Sequence, residues 1–344
     1  MSLSHHINAF RRKLTKRLTN HFGKNQSVEH FKSLNPLKVK QVLISRPNQR
    51  LGNLLLLTPL IQEVETIFPN AKIDIVVKGN LAPILFKNYK SIDRIIELPK
   101  KPFSHPFLYI FKWYSVRFKI YDVAINPVKD SSSGKLLTAL SRADYKFFGQ
   151  FSLKHINENN DVLHIAKQSI YQLHQVMNLK NESSNYEIPN LKLRLSAEEI
   201  CNGKKTLDHL NENHKPTIAI YTYATGNKCH SKVWWEDFFS QLKQSFVDFN
   251  ILEILPLENV SQINFKSKHY YSKNLRELAA LLLNTEIFIG ADSGMMHLAS
   301  ASGTKTVGLF SVTKPEKYEP YGNNSFSIFT PNYNILEILD QIQH

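Results

Sequence analysis

The run "EIFIGADSGMMHLASASGTKTVGLF", Glu286 to Phe310, limits the fold more than any other part of this chain. An apolar stretch, Ile287 to Ile289, ends in Gly-Ala-Asp-Ser-Gly, passes into a helix-length segment and resumes as a second apolar stretch. Two short apolar strands joined through a helix run parallel in one sheet. Small and polar groups then fall where a strand hands over to a helix, which in an open α/β sheet is where ligands bind.

The alternation recurs. From Val39 to Val77 the order is strand "VKQVLISR", loop "PNQRLGN", helix "LLLLTPLIQEVETIF" and strand "KIDIVV". Further strands are expected at "SIDRIIELP" and "YDVAINP", with a loop "VKDSSSG" and a helix from about Lys135. A second series begins at "PTIAIYTYATG" and runs through helix "VWWEDFFSQLKQSF", strand "FNILEILPL" and helix "NLRELAALLLN" to the opening run and a closing helix, "YNILEILDQIQ". Between the two series, residues 157–213 are polar and patternless, with "NESSNYEIPNL" the clearest linker. At 344 residues the chain is long enough for about two domains. The expected division is a basic segment 1–35, a first α/β domain 36–185, a linker 186–212, a second α/β domain 213–330 and a terminal helix 331–344.

Charge narrows the partners. The net charge is +14, which draws the chain to phosphate-rich molecules. Before the first acidic residue, Glu29, lie Arg11, Arg12, Lys13, Lys16, Arg17 and Lys24, interleaved with Ile7, Phe10, Leu14, Leu18 and Phe22 at helical spacing. Such a helix suits an anionic membrane surface, and equally a helix packed on the body with a solvated basic face. No apolar core of a secretory signal follows it. The aromatic run Pro106 to Ile125 contains Lys112, Arg117 and Lys119 and falls short of a membrane span, so a soluble or peripheral protein is expected. A nucleic-acid partner is not expected, because charge is its only support. Cys201 and Cys229 stand outside any paired spacing, which suggests neither a disulfide framework nor a zinc site and fits a reducing, intracellular location.

Three sites carry candidate chemistry. In the opening run, Ser293 and Gly294 begin a helix whose free amides suit a phosphate, Asp292 stands at the strand edge to accept bonds from sugar hydroxyls, and His297 follows one turn on. The plainer reading makes Asp292 a helix cap and His297, with Met295 and Met296, interior packing. In "TYATGNKCHSKVWWEDFF", Lys232 can meet a pyrophosphate as a point charge, or be an ordinary surface lysine, while Trp234 and Trp235 pack the helix on its sheet. In "SRPNQRLGNLLLLTP", Gly52 allows close approach of backbone to a ligand, and Arg46, Arg50 and Asn53 are polar groups at that edge. No G-x-G-x-x-G is present, and "SSSGKLL" is no Walker loop.

Together these stretches resemble the heptosyltransferases of lipopolysaccharide synthesis, glycosyltransferase family 9. The resemblance rests on "FIGADSGMMHLASASGTKTVGLFSVTKPEKYEPYG" with "NLRELAALLLNTE" before it, on "RLGNLLLLTPLIQEVETIFPNAKIDIVV", and on "SKVWWEDFF", in the family's order over about half the chain. It implies a GT-B fold of two Rossmann-like domains facing across a cleft, with inversion at the anomeric carbon. It also implies a nucleotide-sugar donor, ADP-heptose by family, and a lipid-anchored saccharide acceptor at the cytoplasmic face of the inner membrane. Asp292 then contacts the donor sugar, Ser293, Gly294 and Lys232 the diphosphate, and Glu258 the nucleoside. No D-x-D occurs, in keeping with donor binding without a metal or other cofactor. One position departs: where the family has Gly-Asp, the aspartate being its proposed general base, this chain has Gly52-Asn53. An amide cannot take the proton. Either another group serves, Asp130 in the loop after "YDVAINP" being the candidate beside its reading as a solvated loop residue, or turnover is slow, or the chain is catalytically silent.

Overall fold

The computed structural model describes residues 28–100, 106–149, 163–177, 186–211, 213 and 215–343. The basic amphipathic helix expected over the first 25 residues lies outside them. The chain divides into two compact units, each built on one parallel sheet.

The first unit holds residues 1–49, 59–83 and 89–189. Its strands are β1 (Gln41–Ser45), β2 (Lys72–Lys78), β3 (Ile92–Leu98), β4 (Ile120–Ile125) and β5 (Arg142–Phe147), in the order β3-β2-β1-β4-β5. The registers are parallel, Val42 pairing with both Ile73 and Val123. Val42, Leu43, Ile44, Ile75 and Val76 are fully buried, as expected of parallel strands covered on both faces. Asp74 is the exception within that core. Its carboxylate, wholly buried, accepts bonds from Arg94 Nε at 3.0 Å, Lys119 Nζ at 3.1 Å and the Tyr121 hydroxyl at 2.8 Å, so the buried charge is compensated on every side.

The helix read as one piece from Leu54 to Phe68 is two, α2 (Leu51–Leu55) and α3 (Thr58–Ile67), after a short α1 (Val28–Lys32). Pro59 has no N–H to give the Leu55 carbonyl, and the Thr58 hydroxyl donates to it instead at 2.7 Å. The first unit also contains the start of α4 (Ala82–Leu85), α5 (Pro106–Tyr114), α6 (Ser132–Leu140) and α7 (Ile165–Met177); by their contacts, Ile84 and Leu85 of α4 group with the second unit.

The second unit holds residues 50–58, 84–88 and 190–344. Its strands are β6 (Thr217–Tyr221), β7 (Asn250–Ile254), β8 (Lys268–Tyr270), β9 (Ile287–Ala291), β10 (Lys305–Phe310) and β11 (Phe326–Phe329), in the order β11-β10-β9-β6-β7-β8, all parallel. The helices are α8 (Ala197–Leu210), α9 (Lys232–Ser245), α10 (Leu275–Leu283), α11 (Gly294–Ser302) and α12 (Ile335–Gln343). Trp235, Phe238 and Leu242 of α9 pack with Ile218, Ile289 and Leu309 of the sheet and Ile338 of α12.

Most of the stretch expected as linker is α8. Ser196 caps it, accepting from Glu199 N while the Glu199 carboxylate accepts from Ser196 N, a reciprocal pair that fixes its start. Only Gly203 and Leu207 of α8 are buried, too few to print a periodic pattern on the sequence. Gly203 lets α8 approach α10 closely, for a Cβ there would stand 2.3 Å from the Ala280 carbonyl carbon. Arg276 of α10, itself 5% exposed, clamps this junction: its Nε and Nη2 reach the two Glu199 oxygens at 2.6 and 2.7 Å, and its other N–H groups meet the carbonyls of Ile84, Leu193 and Arg194. The guanidinium holds the Glu199 carboxyl down at about 2.

Candidate functional site

The site lies in the second unit, at the carboxyl ends of β6, β9 and β10. β9 is apolar and buried until Ala291, and the Asp292 amide donates to Leu309 O at 3.1 Å, so pairing with β10 continues one residue past the strand. Asp292 is 6% exposed. A carboxylate that buried needs a cation. Lys228 supplies it, Nζ to Oδ2 at 2.5 Å.

Lys228 sits in a loop fixed from several directions. Gly226 takes a left-handed conformation, φ +66°, after β6. Ser311, just past β10, donates its hydroxyl to Lys228 O at 3.2 Å. His230 Nε2 lies 2.8 Å from the Thr330 hydroxyl, and its ring stacks on Trp234 with centroids 4.0 Å apart. Burial pushes the His230 imidazole down to about 4. The Lys228 ammonium also lies 5.9 Å from the centroid of the Tyr318 ring.

Asp292 does not cap α11. The N-cap is Ser293, and its side chain makes no cap bond. The Ser293 hydroxyl oxygen is buried without a partner, next to the first amides of the helix. His297, one turn on, is 4% exposed and its Nδ1 is likewise unpartnered. Burial first, and then the charge of Lys228, drive its imidazole down to about 4, so it is neutral near pH 7. His297, Met295 and Met296 are thus all buried, and the His297 ring stays within reach of the Lys228 charge.

The segment "RLGN" groups with this second unit rather than with the strand before it. α2 packs against α11 so closely that a Cβ on Gly52 would stand 2.6 Å from His297 Cδ2 and one on Gly294 3.1 Å from Leu51 Cβ. Arg50, exposed, is the N-cap of α2, and Asn53 is half-buried within it. Gly52, read from the sequence as a point of close backbone approach, thus packs directly on the histidine of the opening run.

Two lysines lie in the loop after β6 and at the start of α9. The lysine joined to Asp292 is Lys228, whereas Lys232 is exposed at the first position of α9, because Ser231 accepts from Trp234 N and so starts the helix one residue earlier. Lys228 was missed although it lies in the same quoted loop; the positive-φ glycine two residues before it was the available signal. Glu258 is exposed after β7, and its charge, second to burial, helps hold the Tyr221 phenol above its usual range. A second acid, Glu253, was not foreseen: it is wholly buried on β7, bonded by the Thr222 and Ser261 hydroxyls at 2.7 Å each, with burial raising its carboxyl. Those hydroxyls also accept from the amides of Gln262, Ile263 and Phe265, so Glu253 anchors the loop after β7.

Two candidates belong to the first unit. Arg46 is nearly buried at the end of β1, its amide donating to Val76 O at 2.9 Å. Asp130 is exposed, immediately before Ser131, which caps α6. Among the described residues no cluster of three or more His, Cys, Asp or Glu side chains is placed to hold a metal ion. Nor, among the described residues, is any helix long and apolar enough to cross a membrane.

The model of "Glycosyltransferase family 9 (heptosyltransferase)" matches residues 113–338. Lipopolysaccharide heptosyltransferase 3 of Escherichia coli is 22% identical over 314 residues, 84% of this chain and 89% of that protein. Among solved structures, a family 9 glycosyltransferase from Veillonella parvula superposes with a TM-score of 0.69 at 16% identity, covering 91% of both chains. The E. coli heptosyltransferase WaaC, solved with ADP, gives 0.63 at 15% identity over 88% of this chain and 99% of its own. Those superpositions, with the two parallel α/β sheets, make the fold GT-B. With its family model matched over well more than half its length, the chain belongs to glycosyltransferase family 9, the heptosyltransferases, and is a glycosyltransferase.

Proposed function

We propose that this enzyme transfers heptose from ADP-heptose, with inversion at the anomeric carbon, to an inner-core saccharide of a lipopolysaccharide acceptor, working peripherally at the cytoplasmic face of the inner membrane. The observation that carries the reading is the Lys228–Asp292 pair beside the unpartnered Ser293 hydroxyl at the opening of α11. Such a site offers a cation, free amides and a buried carboxylate within one turn of chain, which suits a diphosphate joined to a sugar. Relatives named for lipopolysaccharide heptosyl transfer, and one solved with ADP, support the donor and acceptor classes.

In the reaction the acceptor oxygen bonds to the anomeric carbon as the bond to the diphosphate breaks, the electron pair leaves on the diphosphate, and the acceptor proton passes to a base. Lys228 and the first amides of α11 stabilise the leaving diphosphate with no metal ion, while Asp292 accepts hydrogen bonds from sugar hydroxyls. His297, neutral, contributes hydrogen bonding and not charge. Asn53 orients the acceptor hydroxyl, and Asp130 takes its proton.

Asn53 also favours a second reading, a silent family member that binds a nucleotide sugar without turnover. Incubating the full chain with ADP-heptose and a heptose-deficient core acceptor, then weighing the acceptor by mass spectrometry, separates the two. Addition of one heptose supports transfer; donor binding with an unchanged acceptor mass, across a panel of acceptors and nucleotide sugars, supports the silent member.

A further inference from the structure

We infer that the outer face of α5 is a docking surface for an anionic lipid bilayer. Every side chain of α5 except Lys112 is apolar or aromatic. Tyr109 and Trp113 pack inward on the cluster that includes Leu43, Val76 and Val116. On the other side Phe107, Ile110, Phe111 and Tyr114, spaced as one helical face, are 86%, 64%, 56% and 56% exposed. Phe118 and Ile120, each 60% exposed, extend the patch past the helix end, and the Phe118 ring lies 5.8 Å from Phe111 and 5.9 Å from Tyr114. A contiguous apolar patch on an otherwise well-buried unit marks an interaction site.

Charge selects the partner. Between Glu97 and Asp122 there is no acidic residue, against Lys100, Lys101, Lys112, Arg117 and Lys119. Arg117 stands 5.9 Å over the Tyr114 ring, and Lys119, paired with Asp74 and Asp93, flanks the same end. Aromatic and aliphatic side chains flanked by Lys112 and Arg117 match the headgroup boundary of a membrane bearing negative lipids. A second copy would bring the same positive field to the contact and be repelled by it. At nine residues α5 is about 14 Å long, less than half a bilayer's hydrocarbon thickness, so it lies in the interface and does not span. The surface is consistent with a lipid-anchored acceptor, but it stands on its own observations and its test contains no sugar.

The test is sedimentation of the full chain with vesicles of phosphatidylglycerol mixed with phosphatidylcholine, and with phosphatidylcholine alone, at low and high salt. The wild type sediments with the anionic vesicles at low salt, and the triple substitution Phe107→Ser/Ile110→Ser/Phe111→Ser weakens that partition about tenfold or more. Because all three side chains are exposed, its thermal midpoint stays near that of the wild type. The conservative Phe107→Trp adds an indole whose emission brominated lipids quench. Equal sedimentation of the triple variant and the wild type, no sedimentation of the wild type, or an unquenched added indole each overturns the inference. So does a wild-type dimer that the triple variant dissociates without any change in vesicle binding, since the face would then join two copies.

Discussion

Lys228 Nζ stands 2.5 Å from Asp292 Oδ2, and this pair puts a cation beside the opening of α11. The carboxylate is nearly buried and the ammonium about one-third exposed, so the lysine remains open to a ligand while it neutralises the acid. Replacing Lys228 by Ala is expected to weaken ADP binding roughly 10- to 100-fold by calorimetry, the range for losing a hydrogen bond to a charged group. Lys232→Ala is expected to cost less than Lys228→Ala. The reverse order would show that the family's lysine position governs binding and that Lys228 serves only Asp292.

Gly52 and His297 make a second coupled pair. Inside a helix Gly→Ala ordinarily stabilises by about 0.5–1 kcal/mol. Here the added methyl carbon would meet His297 Cδ2 at 2.6 Å, and the ring is buried with nowhere to go. Gly52→Ala is therefore expected to destabilise by about 1–3 kcal/mol in denaturant titration. In a double-mutant cycle with His297→Ala the double variant should cost less than the sum of the two single variants; strict additivity would mean that the contact is not tight.

How much of this was legible in the sequence differs by element. Strands β1, β2, β6, β9 and β10 are runs of Val, Ile, Leu and Phe that only a covered parallel sheet accommodates, and they read directly. The edge strands β5, β8 and β11 are half-exposed and of mixed composition, so they leave no such mark. α8 was hidden because its packing relies on the absence of a side chain at Gly203 and on one leucine. At the site, Asp292, Ser293 and His297 were found because small and polar residues interrupt an apolar pattern. Lys228 and Glu253 were not. A lysine's partner is set by how its loop folds back, here through Gly226, Ser311 and Thr330, and a single acid inside the strand "NILEI" looks like a solvent-facing position until Thr222 and Ser261 close over it.

Two pH windows should appear in stability. His297 and His230, held at about 4 against an ordinary 6.5, bind protons more readily when unfolded, so their contribution is full above about 6.5 and falls as pH drops toward 4. For each it is at most on the order of 3 kcal/mol. Glu199, held at about 2 against 4.5, contributes fully above 4.5 and loses that contribution between 4.5 and 2. Thermal midpoints against pH should show both declines. His297→Gln should flatten the upper one and leave the lower; an unchanged upper window would mean that the ring is not buried as a neutral group.

The base is tested by exchange. Asp130→Asn is expected to cut turnover by about 10²- to 10⁴-fold while leaving donor affinity unchanged, the mark of a lost general base. Asn53→Asp restores the family's carboxylate at its own position. Full turnover in Asp130→Asn would exclude Asp130, and a large gain from Asn53→Asp alone would mark the native chain as a slow or silent member.

The reading as a heptosyltransferase that uses the Lys228–Asp292 site stands or falls most directly on acceptor-dependent release of ADP from ADP-heptose, measured for the wild type and for Asp292→Asn. The expected result is steady release by the wild type only when a heptose-deficient core acceptor is present, reduced by about 10²-fold or more in Asp292→Asn, as when one electrostatic contact to the reacting sugar is removed. Release at the same rate from both proteins, or none from the wild type with any acceptor, would contradict it.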